Sequence, residues 1–321
     1  MDKRHDRASR LRRGWFKLIY TLFLTAACAF VLLDTFVIPH TGVVVTKQTS
    51  QLTAAENVSA QSGSESETAS SGGTDSSTDS SGTYTDTSYT DSNMSISYKT
   101  ERVNDTTVYV VDVQLSDASQ LKTAFAENTY GRNIKETTSD MAEDNGAVLA
   151  INGDYYGFRN AGYVLRNGTL YRDTSNSGED LVVESDGTFK IIEEDDTSAG
   201  ELQSEGALQV FSFGPALINN GEICVDENTE VEQAKTSNPR TAIGMISPLH
   251  YIIVVSDGRT DESAGLSLYE LAQVFADENC TVAYNLDGGG STTLYFNGKV
   301  INTTTGGTGN SERKVSDIIY F

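Results

Sequence analysis

Three cysteines, three histidines and one tryptophan are spread over 321 residues, and 23 Lys and Arg stand against 45 Asp and Glu. Only Cys224 and Cys280 lie beyond the N-terminal apolar region, so no disulfide framework of the kind that holds small secreted domains can be built. A single Cys224–Cys280 bridge is the most that an oxidising compartment allows. His40 and His250 are the only histidines beyond the apolar region, and no His/Cys ligand spacing or EF-hand loop is present. Carboxylate oxygens are therefore the only candidates for holding a divalent cation. No cofactor is required by any motif. The shortage of basic residues excludes nucleic acid as a partner, because phosphate binding needs a basic surface. No unit of 20–50 residues repeats, which excludes solenoids and propellers.

The basic residues that do exist are placed unevenly. Residues 1–17 (MDKRHDRASRLRRGWFK) carry seven Lys/Arg against two Asp, and the remaining chain, with 16 basic and 43 acidic residues, is near −27. Residues 18–38 (LIYTLFLTAACAFVLLDTFVI) are almost wholly apolar. As a helix they span roughly 31 Å, matching a hydrocarbon core of about 30 Å. A cleaved signal peptide would show an A-x-A-like site, and none stands near Pro39. Thr25-Ala26-Ala27-Cys28 resembles a lipoprotein signal only faintly, since ten mostly apolar residues follow the cysteine. The pattern predicts an uncleaved anchor in the cell membrane, with residues 1–17 as a cytoplasmic tail and the rest of the chain outside.

Residues 39–95 are dominated, from 41 on, by Ser, Thr, Gly and Asp, a composition that cannot bury enough apolar area to offset its ordering entropy. A disordered linker is expected there, with an r.m.s. reach of roughly 40 Å that would hold a domain off the membrane. Residues 96–321 then form the folded domain. Runs at 107–115, 147–152, 181–184, 188–192, 207–213, 241–246, 251–256, 281–286, 293–296 and 315–321 read as strands. Asn167-Gly168, Asp186-Gly187, Asn220-Gly221 and Asn297-Gly298 fall between such runs, each a signal for a type I′ hairpin. Helices are expected at 268–278, opened by a Ser267/Glu270 capping box, at 117–129 and at 138–144. The fold class is α+β: a large mixed, mainly antiparallel sheet with a few helices, behind one membrane helix and a linker.

Four strand ends run into polar, glycine-containing turns: AINGDYYG (150–157), NPRTAIG (238–244), VVSDGRT (254–260) and NLDGGGST (285–292). If they meet at one rim, Asp154, Asp257 and Asp287 converge with Arg240 and Arg259. Taken singly, Asp-Gly and Asn-Gly are common turn chemistry. Three consecutive glycines are more than one turn requires. They let backbone N–H groups approach a ligand and form an anion-binding nest, and arginines bind phosphate bidentately.

Taken in order, and closed by SERKVSDIIYF, these motifs resemble the phosphodiester glycosidase family over about 145–321. The resemblance implies a hydrolase that cleaves the glycosidic bond of sugar-1-phosphodiesters, and bacterial relatives are membrane-anchored envelope proteins, some labelled for exopolysaccharide biosynthesis. Asp154 departs from the family pattern, which has a second glycine there. Carried onto this chain, Asp287 is nucleophile or water-activating base, Asp257 its partner, and Asp154 a further catalytic candidate. Arg240, Thr241, Arg259 and Arg313 would hold phosphate, Gly288, Gly289 and Gly290 would supply N–H donors, and Asn152 and Ser291 would bind sugar hydroxyls or phosphate. An oxocarbenium-like state is stabilised by a nearby carboxylate. The departing phosphate is a weak base that arginines and N–H groups can stabilise without strong acid assistance. The domain's negative charge is no aid to an anionic substrate, although salt screens it within about 8 Å, so a local arginine cluster dominates. A divalent cation held by the three aspartates is the other way to accommodate the phosphate. The competing function is a non-catalytic module that binds anionic wall glycans through the same arginines and glycines.

Overall fold

The computed structural model describes residues 2–45, 82–229, 237–307 and 311–321. Most of the expected linker, residues 46–81, lies outside the described residues. A single helix, Asp2–Phe36, opens the chain, and within it Trp15–Thr35 is long and apolar enough to cross a membrane. That stretch sits three residues earlier than the sequence suggested, because the helix ends at Phe36 and leaves Val37 and Ile38 outside it. The linker is also shorter than expected. Thr83–Tyr84, Ser88–Thr90 and Met94–Val103 are strands of the domain, and His40–Val44 pairs with Thr129–Arg132.

The strands form one nine-stranded sheet, two five-stranded sheets and a two-stranded ribbon, and every strand pairing among the described residues is antiparallel. The α+β class holds, but the single mixed sheet is in fact several antiparallel ones. At the centre of the nine-stranded sheet lie Val282–Asn285, Arg240–Ser247, His250–Ser256 and Thr106–Leu115. Their register puts Arg240 opposite Ser256 and Ala242 opposite Asn285, so the residues leading to Asp257 and Asp287 emerge at one rim beside Arg240. The first five-stranded sheet contains Leu149–Asn152 between Leu294–Phe296 and Asp317–Tyr320. The main core packs the faces of all three large sheets together through Val111, Ile151, Val183, Phe211, Ile253 and Leu286. Helix Leu268–Asp277 covers the other face of the nine-stranded sheet with Leu268, Leu271, Ala272 and Phe275, and its Ser267/Glu270 capping box is present.

The Asx-Gly hairpins form at all four sites, and three have both residues at positive φ (Asn167 +50° and Gly168 +74°, Asn220 +52° and Gly221 +79°, Asn297 +47° and Gly298 +78°). At Asp186-Gly187 only the glycine has positive φ, because the Asp186 carboxylate accepts the Thr188 N–H at 2.8 Å and closes an Asx turn instead. The helix expected at 117–129 does not form. Its place is taken by two 3₁₀ turns, Ala118–Gln120 and Ala126–Asn128, and the strand Lys122–Phe125 between them, which pairs with Asp317–Tyr320. Helical spacing of Leu121, Ala124 and Phe125 loses to burial of both faces of that strand. The helix at Thr138–Asp144 forms, and an unforeseen one spans Ala199–Glu205, opened by a Ser198/Glu201 capping box. Cys224 is exposed and Cys280 buried, and both are free, so the bridge between them is absent.

The second five-stranded sheet contains a buried carboxyl pair. Asp180 is 0% exposed, and neither of its oxygens meets a donor at hydrogen-bonding distance. Burial, reinforced by the neighbouring Glu194, pushes its pKa up to about 9. Glu194, although buried, is held below the ordinary range by the Asn176 and Tyr163 N–H groups and the Ser212 hydroxyl. Asp180 is thus neutral in the fold and ionised when unfolded, so the native state holds more protons above the unfolded pKa. Stability from this site is complete below about 4 and is lost as pH rises towards about 9. Thermal unfolding of the full chain in detergent should show a midpoint that falls across this window, and Asp180→Asn should flatten the fall. An unchanged slope in the variant would remove Asp180 as its source.

Candidate active site

Asn152 closes the strand Leu149–Asn152 and is fully buried. Its amide oxygen accepts from the Thr241 hydroxyl at 2.8 Å and the Thr293 N–H at 3.2 Å, and its amide nitrogen donates to the Asp287 carbonyl at 2.6 Å. Thr241 belongs to the nine-stranded sheet and Thr293 to the turn after Asp287, so one side chain ties two sheets and the glycine turn together. Asn152 and Thr241 were both expected to touch substrate. In the structure the Thr241 hydroxyl bonds Asn152, and Asn152 in turn holds the Asp287 carbonyl.

Beneath that turn lies a buried ion triad. Arg166, 2% exposed, donates to Asp154 at 2.7 Å and to Asp317 at 2.9 Å. Asp154 also accepts from the Tyr156 N–H at 2.9 Å and the Ser212 N–H at 3.2 Å. Burial, with repulsion from Asp154, pushes the Asp317 pKa up to about 8, and Asp287 adds to the rise. With Asp317 protonated, Asp154 and Arg166 neutralise each other. Asp154, expected as a further catalytic candidate, is 3% exposed and lies in a buried ion pair with Arg166. Sequence reasoning missed Arg166 and Asp317 because a charge beside a hairpin turn (VLRNG) or in a terminal strand (VSDII) looks solvated until burial is known.

Asp287 lies above the triad with its side chain 14% exposed. Its carboxylate accepts the Ser291 hydroxyl at 2.5 Å and faces Arg313 at 3.4 Å, while Arg313 Nε donates to the Ser291 oxygen at 3.0 Å. Burial pushes the Asp287 pKa up, and Arg313, Ser291 and the Gly288 N–H hold it back, with a further contribution from Arg159. Ser291, expected as a ligand, donates to Asp287 and accepts from Arg313, so it joins the two instead.

Each of the three glycines has its own reason. A Cβ on Gly288 would meet the Pro239 carbonyl at 2.9 Å. Gly289 has φ +60°, and its Cβ would meet the Arg259 guanidinium at 3.0 Å. At Gly290 a Cβ would lie 3.0 Å from Gly306 and 3.6 Å from Arg313. Side-chain removal thus brings two guanidiniums onto neighbouring residues of one turn. The nest is only partly available, since the Gly289 N–H is spent on the Pro239 carbonyl at 2.8 Å and the Gly288 N–H turns to Asp287.

Arg259 is anchored by two bonds to the Asn238 amide oxygen at 2.9 and 2.6 Å. Arg240, 3% exposed, donates from Nε to the Leu266 carbonyl at 2.9 Å. Burial, with repulsion from Arg259, brings its pKa down to about 10, so two cations face each other here. Asp257 stands in a separate network: it is 5% exposed and accepts the Thr303 N–H at 2.8 Å, and burial pushes its pKa up against Thr303, Tyr109 and Arg102. Thr303 bonds Asp257 while Gly306 and Arg313 lie against Gly290, and an open groove of about 640 Å³ is lined by Thr137, Ser139, Asn302, Thr303 and Ser311. Among the described residues no three His, Cys, Asp or Glu side chains are grouped to hold a metal ion, and the three aspartates sit in three different networks.

Residues 145–321 match the profile of the family described as phosphodiester glycosidase. The SPbeta prophage-derived uncharacterized protein YomE of Bacillus subtilis is 33% identical over 198 residues, covering 59% of this chain and 30% of that protein. The N-acetylglucosamine-1-phosphodiester alpha-N-acetylglucosaminidase of Mus musculus is 30% identical over 187 residues, covering 51% of this chain and 34% of that enzyme. The chain therefore spans about a third of the length of the curated relatives it matches. In fold, it is similar to the zebrafish N-acetylglucosamine-1-phosphodiester alpha-N-acetylglucosaminidase catalytic domain, auto-inhibited by its pro-peptide (TM-score 0.57, 22% identity, 71% of this chain and 82% of that one). A hypothetical protein from Synechocystis gives 0.53 at 15% identity, over 71% of this chain and 62% of that one.

Asn152→Ala would leave the Thr241 hydroxyl, the Thr293 N–H and the Asp287 carbonyl without their partner. At about 1–3 kcal/mol for each buried polar group left unsatisfied, the variant should lose at least ~2 kcal/mol in urea unfolding. A loss under about 0.5 kcal/mol, the range of an inconsequential surface change, would mean that the sheets are held by something else.

Proposed function

The chain belongs to the phosphodiester glycosidase family, and on that premise we propose that it hydrolyses the glycosidic C1–O bond of sugar-1-phosphodiesters. The observation that carries this reading is the convergence of Arg259 and Arg313 on adjacent glycines of the turn that begins at Asp287. An anion seated on that turn would meet two guanidiniums, with Arg240 behind them. It would relieve the repulsion between Arg240 and Arg259 that lowers the Arg240 pKa.

Asp287 is then placed to act at C1 as nucleophile or as the base that activates water. The C1–O bond breaks with its electron pair leaving on the phosphate oxygen, water supplies hydroxyl to C1, and the products are a free sugar and a phosphomonoester. Arginines stabilise the second charge that develops on the phosphate. Asp257, whose pKa burial raises, is the proposed second carboxylate. The reaction as drawn needs no metal, so activity should withstand EDTA. The helix Asp2–Phe36 is proposed as a membrane anchor with the catalytic domain on the outer face, where envelope and exopolysaccharide glycans are the available substrates.

With the full chain and a panel of α-sugar-1-phosphodiesters, Asp287→Asn should reduce sugar release by roughly 10²–10⁴-fold. No release by the wild-type chain, together with saturable glycan binding that tolerates Asp287→Asn, would assign a binding module instead. Arg313→Ala should move the acid limb of the rate profile to higher pH, because the cation that lowers the Asp287 pKa is gone. An acid limb that stays in place would separate Arg313 from the titration of Asp287.

A further inference from the structure

The chain that leaves the apolar helix does not run away from the domain. His40–Val44 pairs antiparallel with Thr129–Arg132, His40 opposite Arg132 and Val44 opposite Thr129. The Val45 N–H extends the pairing to the Asn128 carbonyl at 2.8 Å, and its side chain packs against the aromatic cluster of Phe125, Tyr130, Tyr156 and Tyr171.

A second contact holds the helix end itself. The Asn133 side-chain amide, from a residue 3% exposed in the domain, donates to the carbonyls of Ile38 at 2.9 Å, Thr35 at 3.1 Å and Asp34 at 3.4 Å. Those of Asp34 and Thr35 belong to the last turn, whose C=O groups have no partner inside the helix. The two backbones also approach too closely for side chains. A Cβ on Gly131 would meet the His40 carbonyl at 2.3 Å, and one on Gly42 would meet the Tyr130 carbonyl at 2.9 Å.

We propose that this docked strand seats the catalytic domain on the outer end of the membrane helix, so that the enzyme works at the membrane surface and not at the end of a tether. The proposal rests on the reading of the helix as a membrane anchor. Residues 46–81 start at Val45 and return at Gly82, both on the domain, so their length does not set how far the active site reaches. The substrates within range are phosphodiesters presented at the lipid surface. A linker running freely from the helix would instead give the domain a reach of roughly 40 Å.

The test uses the full chain in lipid nanodiscs, with spin labels on Val44→Cys and Lys190→Cys and with Cys28 and Cys224 replaced by serine. Val44 and Lys190 are both exposed, one on the docked strand and one on the body of the domain. Dipolar spectroscopy should give a single narrow distance. Gly42→Val combined with Asn133→Gly should broaden it, since the first change lies outside the domain core and the second removes the clamp while tolerating the φ of +58° at this position. A broad distribution in the parent protein, or a narrow one unaffected by both changes, would overturn the docking. Sedimentation with membranes after a carbonate wash reads the anchor separately, so a failed anchor and a failed dock give different results.

Discussion

The architecture depends on a single buried amide. Asn152 ends a strand of one sheet, accepts from a hydroxyl of another and fixes the carbonyl of Asp287. A residue with both a donor and an acceptor end is needed there, since the groups it faces are two donors and a carbonyl acceptor. Aspartate would lack the donor, and leucine would satisfy none of the three. The main chain of Asp287 is thus held by a bond from one sheet to the turn, beside the core residues Ile151 and Leu286.

Electrostatics are arranged in layers around that bond. The deepest layer, Asp154 with Arg166 and a protonated Asp317, is neutral and gives the turn a rigid floor. Above it lies the Asp287 carboxylate, linked to Arg313 through Ser291. Beside it stand Arg259, drawn against Gly289, and Arg240, buried at the start of its strand. A chain that is strongly acidic overall thereby gathers Arg240, Arg259 and Arg313 around one turn. Over longer distances the acidic surface is screened by salt.

Much of this was legible in the sequence. The strand runs, the Asx-Gly turns and the capping box at Ser267 follow from local chemistry, which is why they survive in the structure. The meeting of Asp287, Arg240 and Arg259 at one rim followed from strand ends that share a turn grammar. What could not be read was the fate of individual polar atoms. Asn152, Thr241, Ser291 and Asp154 carry the right chemistry for ligands, yet each bonds a protein partner that the pattern of the sequence does not pair with it. The same limit applies to Lys122–Phe125, where a helical spacing yields to pairing with the C-terminal strand, and to His40–Val44, whose partner strand lies some 90 residues further on.

The account stands on bond cleavage at carbon and not at phosphorus, because Asp287 and the arginines are assigned to opposite ends of the C1–O bond. Hydrolysis of a sugar-1-phosphodiester in ¹⁸O-enriched water, with the phosphate product read by mass spectrometry, distinguishes the two. The account predicts a phosphomonoester free of the heavy isotope. Incorporation of ¹⁸O into the phosphate would show attack at phosphorus and contradict it.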